Sequence, residues 1–406
     1  MIEILVVVFG LISGMFTFVF ISAQRTMPYV YSGAKISAWE ARLLHESRMF
    51  EFADAAKVSG ILAGLDDTGY RTYLADIPRD EDVDIVAVER ALKGHLNDRY
   101  RELLEAVPKK DKPTVVKLLE RIDLYNLKTV VAAIHNKVPK EKRLGAMLPS
   151  STIPQERLEM LTSAENFEAL LEFLRGTEYF EAFSTALEKL KEDGPPALLS
   201  ALDKVYYSSL WDDVRGKRLW DDVVDEKGRP SFRKITMNIR EAQAKRTQRP
   251  ILKKIVGYEI DTVNIRTILR LKREGAAPEE IMYSLILPSY ELSEKTLTWM
   301  AEAKSVQEAV TGISHTTYGP ILAKALPEFE ATGSLLPLER ALDEGWLKTC
   351  KWVSAMKFFS LAPVLMYIRL KESEVKNLRA IIRLKADKVE PEKIKEVIVK
   401  VPKFEL

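Results

Sequence analysis

An all-α fold of three similar helical domains, preceded by an apolar helix, is what this sequence predicts. Two observations carry that expectation: apolar residues step at helical spacing almost throughout beyond residue 27, and four short signatures recur in a fixed order. The first signature is Leu/Ile-x-x-Thr-x-Tyr, at Leu65 to Tyr70, Leu174 to Tyr179 and Ile313 to Tyr318. The second is Ala-Leu, at Ala91-Leu92, Ala201-Leu202 and Ala341-Leu342. Asp/Glu-x-x-Asn-Leu/Ile-Lys/Arg follows, at Asp123 to Lys128, Asp261 to Arg266 and Glu374 to Arg379, and Leu-Pro-Ser closes the first two copies at 148–150 and 287–289. From the Tyr to the Leu of Ala-Leu the gap is 22, 23 and 24 residues, a constancy that chance does not produce. From that Leu to the Asn it is 34 and 35 in the outer copies but 62 in the middle one, which therefore holds an insertion of 28. A period above one hundred residues exceeds that of common solenoids, so each unit is expected to be a small domain.

Taken in order, the first element is Ile4 to Ala23, twenty residues without a charge, the length of a membrane-crossing helix. A cleaved secretory signal competes, but Glu3 and no Lys or Arg precedes the apolar run. Arg25 and Lys35 follow it, which places the body on the cytoplasmic side. Gly10 and Gly14 would let a second helix approach, although isolated glycines in an apolar run explain them as well. Repeat 1 spans 28–148, where Val115, Leu118, Leu119 and Ile122 form one apolar stripe ended at Val138-Pro139. Repeat 2 spans 149–287, with Leu170, Leu171 and Leu174, then Phe183, Leu187 and Leu190, in the same pattern. Its insertion, at about 209–250, holds a tandem Leu-Trp-Asp-Asp-Val at 210–214 and 219–223. Ten Lys or Arg and the single acid Glu241 then follow between 227 and 254. That stretch suits anionic headgroups or an acidic partner, and equally a solvated helix face. Repeat 3 spans 288–406; Pro278-Glu-Glu and Pro391-Glu-Lys look like first-turn prolines with acids at the positive helix end.

Composition removes several classes of function. The chain has 406 residues, 61 basic against 59 acidic, so its net charge of +2 gives no drive toward nucleic acid. A single Cys350 forms neither an internal disulfide nor a Cys-based metal cluster. No phosphate-cradling loop, dinucleotide fingerprint or nucleophile elbow is present, and His45, His95, His135 and His315 stand far apart. Asp212-Asp213 and Asp221-Asp222 could hold a hard cation, but adjacent helical residues do not face one another. No catalytic, cofactor-binding or metal residue is assigned.

The repeated polar residues are structural candidates: Tyr70, Tyr179 and Tyr318; Asp123, Asp261 and Glu374; Asn126, Asn264 and Asn377. Asn126 shares an i+4 row with Ile122, Val130 and Ile134, so its amide falls on an apolar stripe and needs a partner. The expected partner is backbone at a neighbouring helix end of the same repeat, near the Thr-x-Tyr turn. Each Tyr offers a ring to bury and a hydroxyl to satisfy, while its Thr can cap the short helix that follows.

These helices and turns, with the early segment Pro28-Tyr-Val-Tyr-Ser-Gly-Ala-Lys-Ile-Ser-Ala, closely resemble the C subunit of the archaeal-type (A-type) ATP synthase, whose family includes the d subunit of vacuolar ATPases. The resemblance spans about 28–406; the apolar segment and the 28-residue enlargement depart from it. It implies a funnel of three domains around a pseudo-threefold axis, a non-catalytic rotor part without cofactor. One copy would stand in a hetero-oligomeric complex between the central-shaft subunits and the membrane proteolipid ring, on the cytoplasmic face. A rotating body would carry its membrane helix with it, which places residues 4–23 in the lumen of that ring. A membrane-tethered helical scaffold unrelated to energy conversion is the rival reading.

Overall fold

A computed structural model describes residues 2–79, 83–148, 150, 153–188, 195–215 and 232–401; within it, side chains at 2–8, 10–12, 18, 21, 22, 25 and 232–247 lie outside what is described. Among the described residues every regular element is a helix. The first, α1 (Ile2–Glu40), runs unbroken through Pro28 and so joins the apolar segment to the first repeat. From residue 29 onward it is fixed to the body by the buried Tyr29, Ile36 and Trp39, and that packing holds the helix across a residue that cannot donate its own backbone bond. Among the described residues no helix is long and apolar enough to cross a membrane.

The same order of elements then recurs. In the first repeat α2 (Glu46–Asp54) and α3 (Val58–Gly64) lead to the Thr-x-Tyr turn and α4 (Arg71–Leu74), followed by the long α5 (Ile85–Ala106), α6 (Lys112–Leu119), α7 (Arg121–His135) and α8 (Lys140–Ala146). The second repeat has α9 (Gln155–Thr162), α10 (Phe167–Leu174), α11 (Phe180–Glu188), α12 (Pro195–Arg215), α13 (Phe232–Glu274) and α14 (Pro278–Ser284). The third has α15 (Glu294–Glu302), α16 (Val306–Thr311), α17 (Gly319–Thr332), α18 (Leu336–Met356), α19 (Ala362–Ala386) and α20 (Pro391–Val397). Pro278 and Pro391 open their helices with Glu279, Glu280 and Glu392 in the first turn, because a first-turn proline forfeits no helical bond and acids favour the positive end. The described part of the insertion lengthens α13 at its start, making it 43 residues; the second Leu-Trp-Asp-Asp-Val, at 219–223, lies outside the described residues.

Three hydrophobic cores hold these helices, and each joins parts distant in sequence. One combines α1 to α6 with α19 and α20, through Leu92, Tyr100, Leu378 and Ile382. Another joins α7, α9 to α12 and the middle of α13, around Phe183, Tyr206 and Ile255. The last joins the end of α13 to α14 through α18, around Ile268, Leu297 and Leu342. The Asn-bearing helices α7, α13 and α19 thus stand where successive units meet.

Candidate functional site

Each Thr-x-Tyr turn is closed by the same two bonds. The Thr hydroxyl donates to the carbonyl three residues back, from Thr68 to Leu65 at 2.6 Å, Thr177 to Leu174 at 2.7 Å and Thr316 to Ile313 at 2.7 Å. It accepts from the Tyr N–H at 3.2 to 3.3 Å in every copy. The turn thereby directs the ring inward, and all three tyrosines are buried.

In two copies the hydroxyl bonds the acid of another repeat, and in the remaining one ring and acid face a common cavity. Tyr318 donates to Asp261 Oδ2 at 2.9 Å, across from the third repeat to the second. Tyr70, in the first repeat, donates to Glu374 of the third at 2.6 Å. Tyr179 and Asp123 line one cavity of about 390 Å³ between the second and first repeats, where Asp123 accepts from the Ser150 hydroxyl. Asp261 and Glu374 also hold backbone that leads into the following unit. Asp261 takes the N–H groups of Tyr290, Glu291 and Leu292 at 2.8, 2.7 and 3.3 Å, and Glu374 takes that of Leu44 at 2.6 Å. Burial pushes the Asp261 carboxyl up to about 6, with the three N–H donors and the Tyr318 hydroxyl pulling it down. Burial and the adjacent carboxylates push the Tyr70 and Tyr318 phenols well above their ordinary range.

The three asparagines act alike. Asn126 bonds both backbone groups of Leu148 at 2.9 and 2.7 Å, Asn264 those of Ile286 at 2.9 and 2.8 Å, and Asn377 those of Val399 at 2.9 and 3.0 Å. The partner in every copy is backbone 22 residues on, at the end of the short helix that follows and within the same repeat. An amide both donates and accepts, so it can replace the paired strand that this isolated residue lacks.

One constellation escaped the sequence reading. Arg121, Glu259 and Glu372 each lie five residues before the Asn of their repeat, and they meet in one partly buried cluster. Arg121 donates to Glu259 at 2.9 Å and to Glu372 at 2.5 Å. Arg369 donates to Glu259 and, at 2.9 Å, to Glu372, with its guanidinium 3.9 Å above the Trp346 ring. Tyr100 and Tyr207 donate to the same two carboxylates at 2.7 and 3.2 Å. Two cations balance two anions, so the charge can be buried. Desolvation raises the Glu259 carboxyl, while the two carboxylates hold the Arg121 guanidinium well above its ordinary value. The signal was present as a charged residue at a constant offset, but hydrophobic periodicity is blind to it.

Among the described residues no group of three or more His, Cys, Asp or Glu could hold a metal ion. Asp212 and Asp213 are engaged with other residues, and Asp221-Asp222 lies outside the described residues. His95 is packed between Tyr70 and Tyr73, with ring centroids 4.2 and 5.2 Å away.

These features define an internally repeated, all-helical protein whose buried polar residues join each repeat to the next. The chain belongs to the family described as ATP synthase (C/AC39) subunit, which matches residues 33–225 and 232–397. It is similar to the A-type ATP synthase C subunit of Methanocaldococcus jannaschii, 29% identical over 92% of this chain and 86% of that one. The C subunit of the Thermococcus onnurineus A-type ATP synthase is 30% identical over 91% of this chain and 90% of its own, and that of Methanosphaera stadtmanae 26% identical over 98% and 95%. The protein is thus a subunit of a rotary ATP synthase, part of a hetero-oligomeric, membrane-associated complex. The family match is interrupted at residues 226–231, inside the enlarged part of the middle repeat.

Proposed function

We propose that this chain is the non-catalytic rotor part that joins the central shaft of an A-type ATP synthase to its membrane proteolipid ring, transmitting torque during ion-transport-linked ATP synthesis or hydrolysis. The observation that carries the reading is the meeting of Arg121, Glu259 and Glu372, equivalent residues of three repeats, in one partly buried cluster. Equivalent positions converge when units are related by rotation about an axis, which supports a pseudo-threefold funnel of domains 28–148, 149–287 and 288–406. Tyr318 bonds an acid of the second repeat and Tyr70 one of the third, while Tyr179 shares a cavity with Asp123 of the first, so the order closes on itself. A closed body with buried polar links suits a part that must turn without shearing. One copy would sit on the cytoplasmic face, with shaft subunits and proteolipid as its partners and nucleotide chemistry left to other subunits. Affinity purification of the tagged chain from its own cells tests this. The expected result is co-purification of a nucleotide-binding hexamer and proteolipid; recovery with neither would favour a scaffold unrelated to energy conversion.

A further inference from the structure

We propose that the end of the molecule from which α1 emerges is a docking surface for an anionic lipid bilayer, with lysines and aromatic rings around the stem of the helix lying at headgroup level. Three equivalent segments, one from each repeat, converge at that stem. Tyr29 donates to Asp111 at 2.7 Å in the first repeat and bonds Gln248 of the second, and Gln248 accepts from the Leu361 N–H of the third at 3.0 Å. Phe358 lies over Gly33, so close that a Cβ there would come within 3.1 Å of the ring. The helix therefore leaves from the point where the three repeats meet, and residues before Tyr29 extend away from the body.

Two properties of this end select the occupant. The first is apolar exposure: Tyr31, Phe358 and Phe359 are 64%, 40% and 55% exposed around the stem, and Phe9, Met15, Phe16, Val19 and Phe20 are all more than half exposed beyond it. Residues 4–23 include no charged side chain, so this end of α1 presents an apolar surface to the acyl boundary of a bilayer. The second is charge. Lys109, Lys110 and Lys357 are exposed at the stem, with Lys110 5.0 Å above the Tyr29 ring. Nε and Nη2 of Arg249 are buried without a partner among the described residues. Against these cations stand Glu105 and, already engaged, Asp212 and Asp213; Asp111 is buried beneath Tyr29. The helix α13 enters the same junction through Gln248. Aromatic rings with lysines at the base of an apolar helix complement an anionic headgroup layer, whereas a protein groove would have to satisfy the cations one by one.

The test is flotation of the full chain with vesicles of phosphatidylcholine alone or with added phosphatidylglycerol, at low and high salt. The expected result is binding at least tenfold tighter to the anionic vesicles, a preference that salt abolishes. The exposed-lysine variant K109Q/K110Q/K357Q should lose that preference, and F358S/F359S should bind both vesicle types more weakly, with melting temperatures unchanged. Equal binding to neutral and anionic vesicles, or a preference retained by the lysine variant, would overturn the proposal. So would concentration-dependent dimers that F358S/F359S dissociates without altering vesicle binding, since the patch would then belong to a second copy. Should a variant fold poorly, the salt and lipid dependence of the unaltered chain decides alone. The proposal does not rest on the rotor reading: failure to co-purify with proteolipid would leave the lipid preference as it is.

Discussion

Asn264 is buried on α13 and satisfies both the N–H and the C=O of Ile286, so replacing it with Leu removes two bonds and leaves two backbone groups without partners. Asn264→Leu should cost about 2–4 kcal/mol, read as a lower urea midpoint at unchanged slope. Its neighbour Asp261 makes a pH-dependent contribution. Burial lifts its folded-state value to about 6 from 3.8, so the folded chain holds that proton more tightly than the unfolded chain. The stabilisation from protonation is therefore complete below about pH 4 and lost as pH rises through 6, a change of about 3 kcal/mol. Relative to Asp261→Asn, the unaltered chain should lose stability between pH 4 and 7; parallel curves for the two proteins would refute the assignment. The spacing alone placed these residues inside an apolar stripe. It could not name their partners, because a side chain's reach depends on which helix ends the fold brings beside it.

At the scale of elements, the junction after α14 depends on the close approach of Tyr290 to α13. A Cβ on Gly257 would overlap the Tyr290 ring and come within 2.7 Å of that residue's own Cβ, an atom tied too closely to the backbone to swing aside. Gly257→Ala should cost about 1–3 kcal/mol through overpacking, and because Tyr290 supplies an N–H to Asp261, the Glu291 and Leu292 amides should exchange faster with solvent. Unaltered exchange with lowered stability would show that the strain is relieved elsewhere. Helix boundaries at Pro278 and Pro391 were legible because capping is local chemistry. Helix α1 continues through Pro28 because tertiary packing around Tyr29 and Ile36 stabilises the helix across it, an influence no local rule contains.

Across the whole molecule, the cluster of Arg121, Glu259, Arg369 and Glu372 ties the three Asn-bearing helices together. Arg121→Met would leave Arg369 alone to compensate the buried Glu259 and the partly exposed Glu372, and should destabilise by at most about 3–5 kcal/mol. Replacing all four with apolar residues should cost far less, because no buried charge is then left uncompensated. Comparing the two denaturation midpoints checks this, and an equal loss in both would mean that packing rather than charge decides. Tyr70 and Glu374 add a second long-range link, 304 residues apart in sequence, where no covalent linker joins the third repeat to the first. There Lys371 donates to the Tyr70 hydroxyl at 3.1 Å and to Glu374, a bond that has no counterpart at Asp261.

The sequence by itself determined the helices, their threefold recurrence and the polar residues that recur with them, because periodicity, capping and repeat spacing are local quantities that survive in one dimension. Only the tertiary structure decided that the acid of one repeat serves the tyrosine of another, and that an arginine and two glutamates at one repeated offset share a single partly buried centre. Those pairings depend on which helices pack together across hundreds of residues, and an apolar stripe specifies that a face is buried without specifying what buries it.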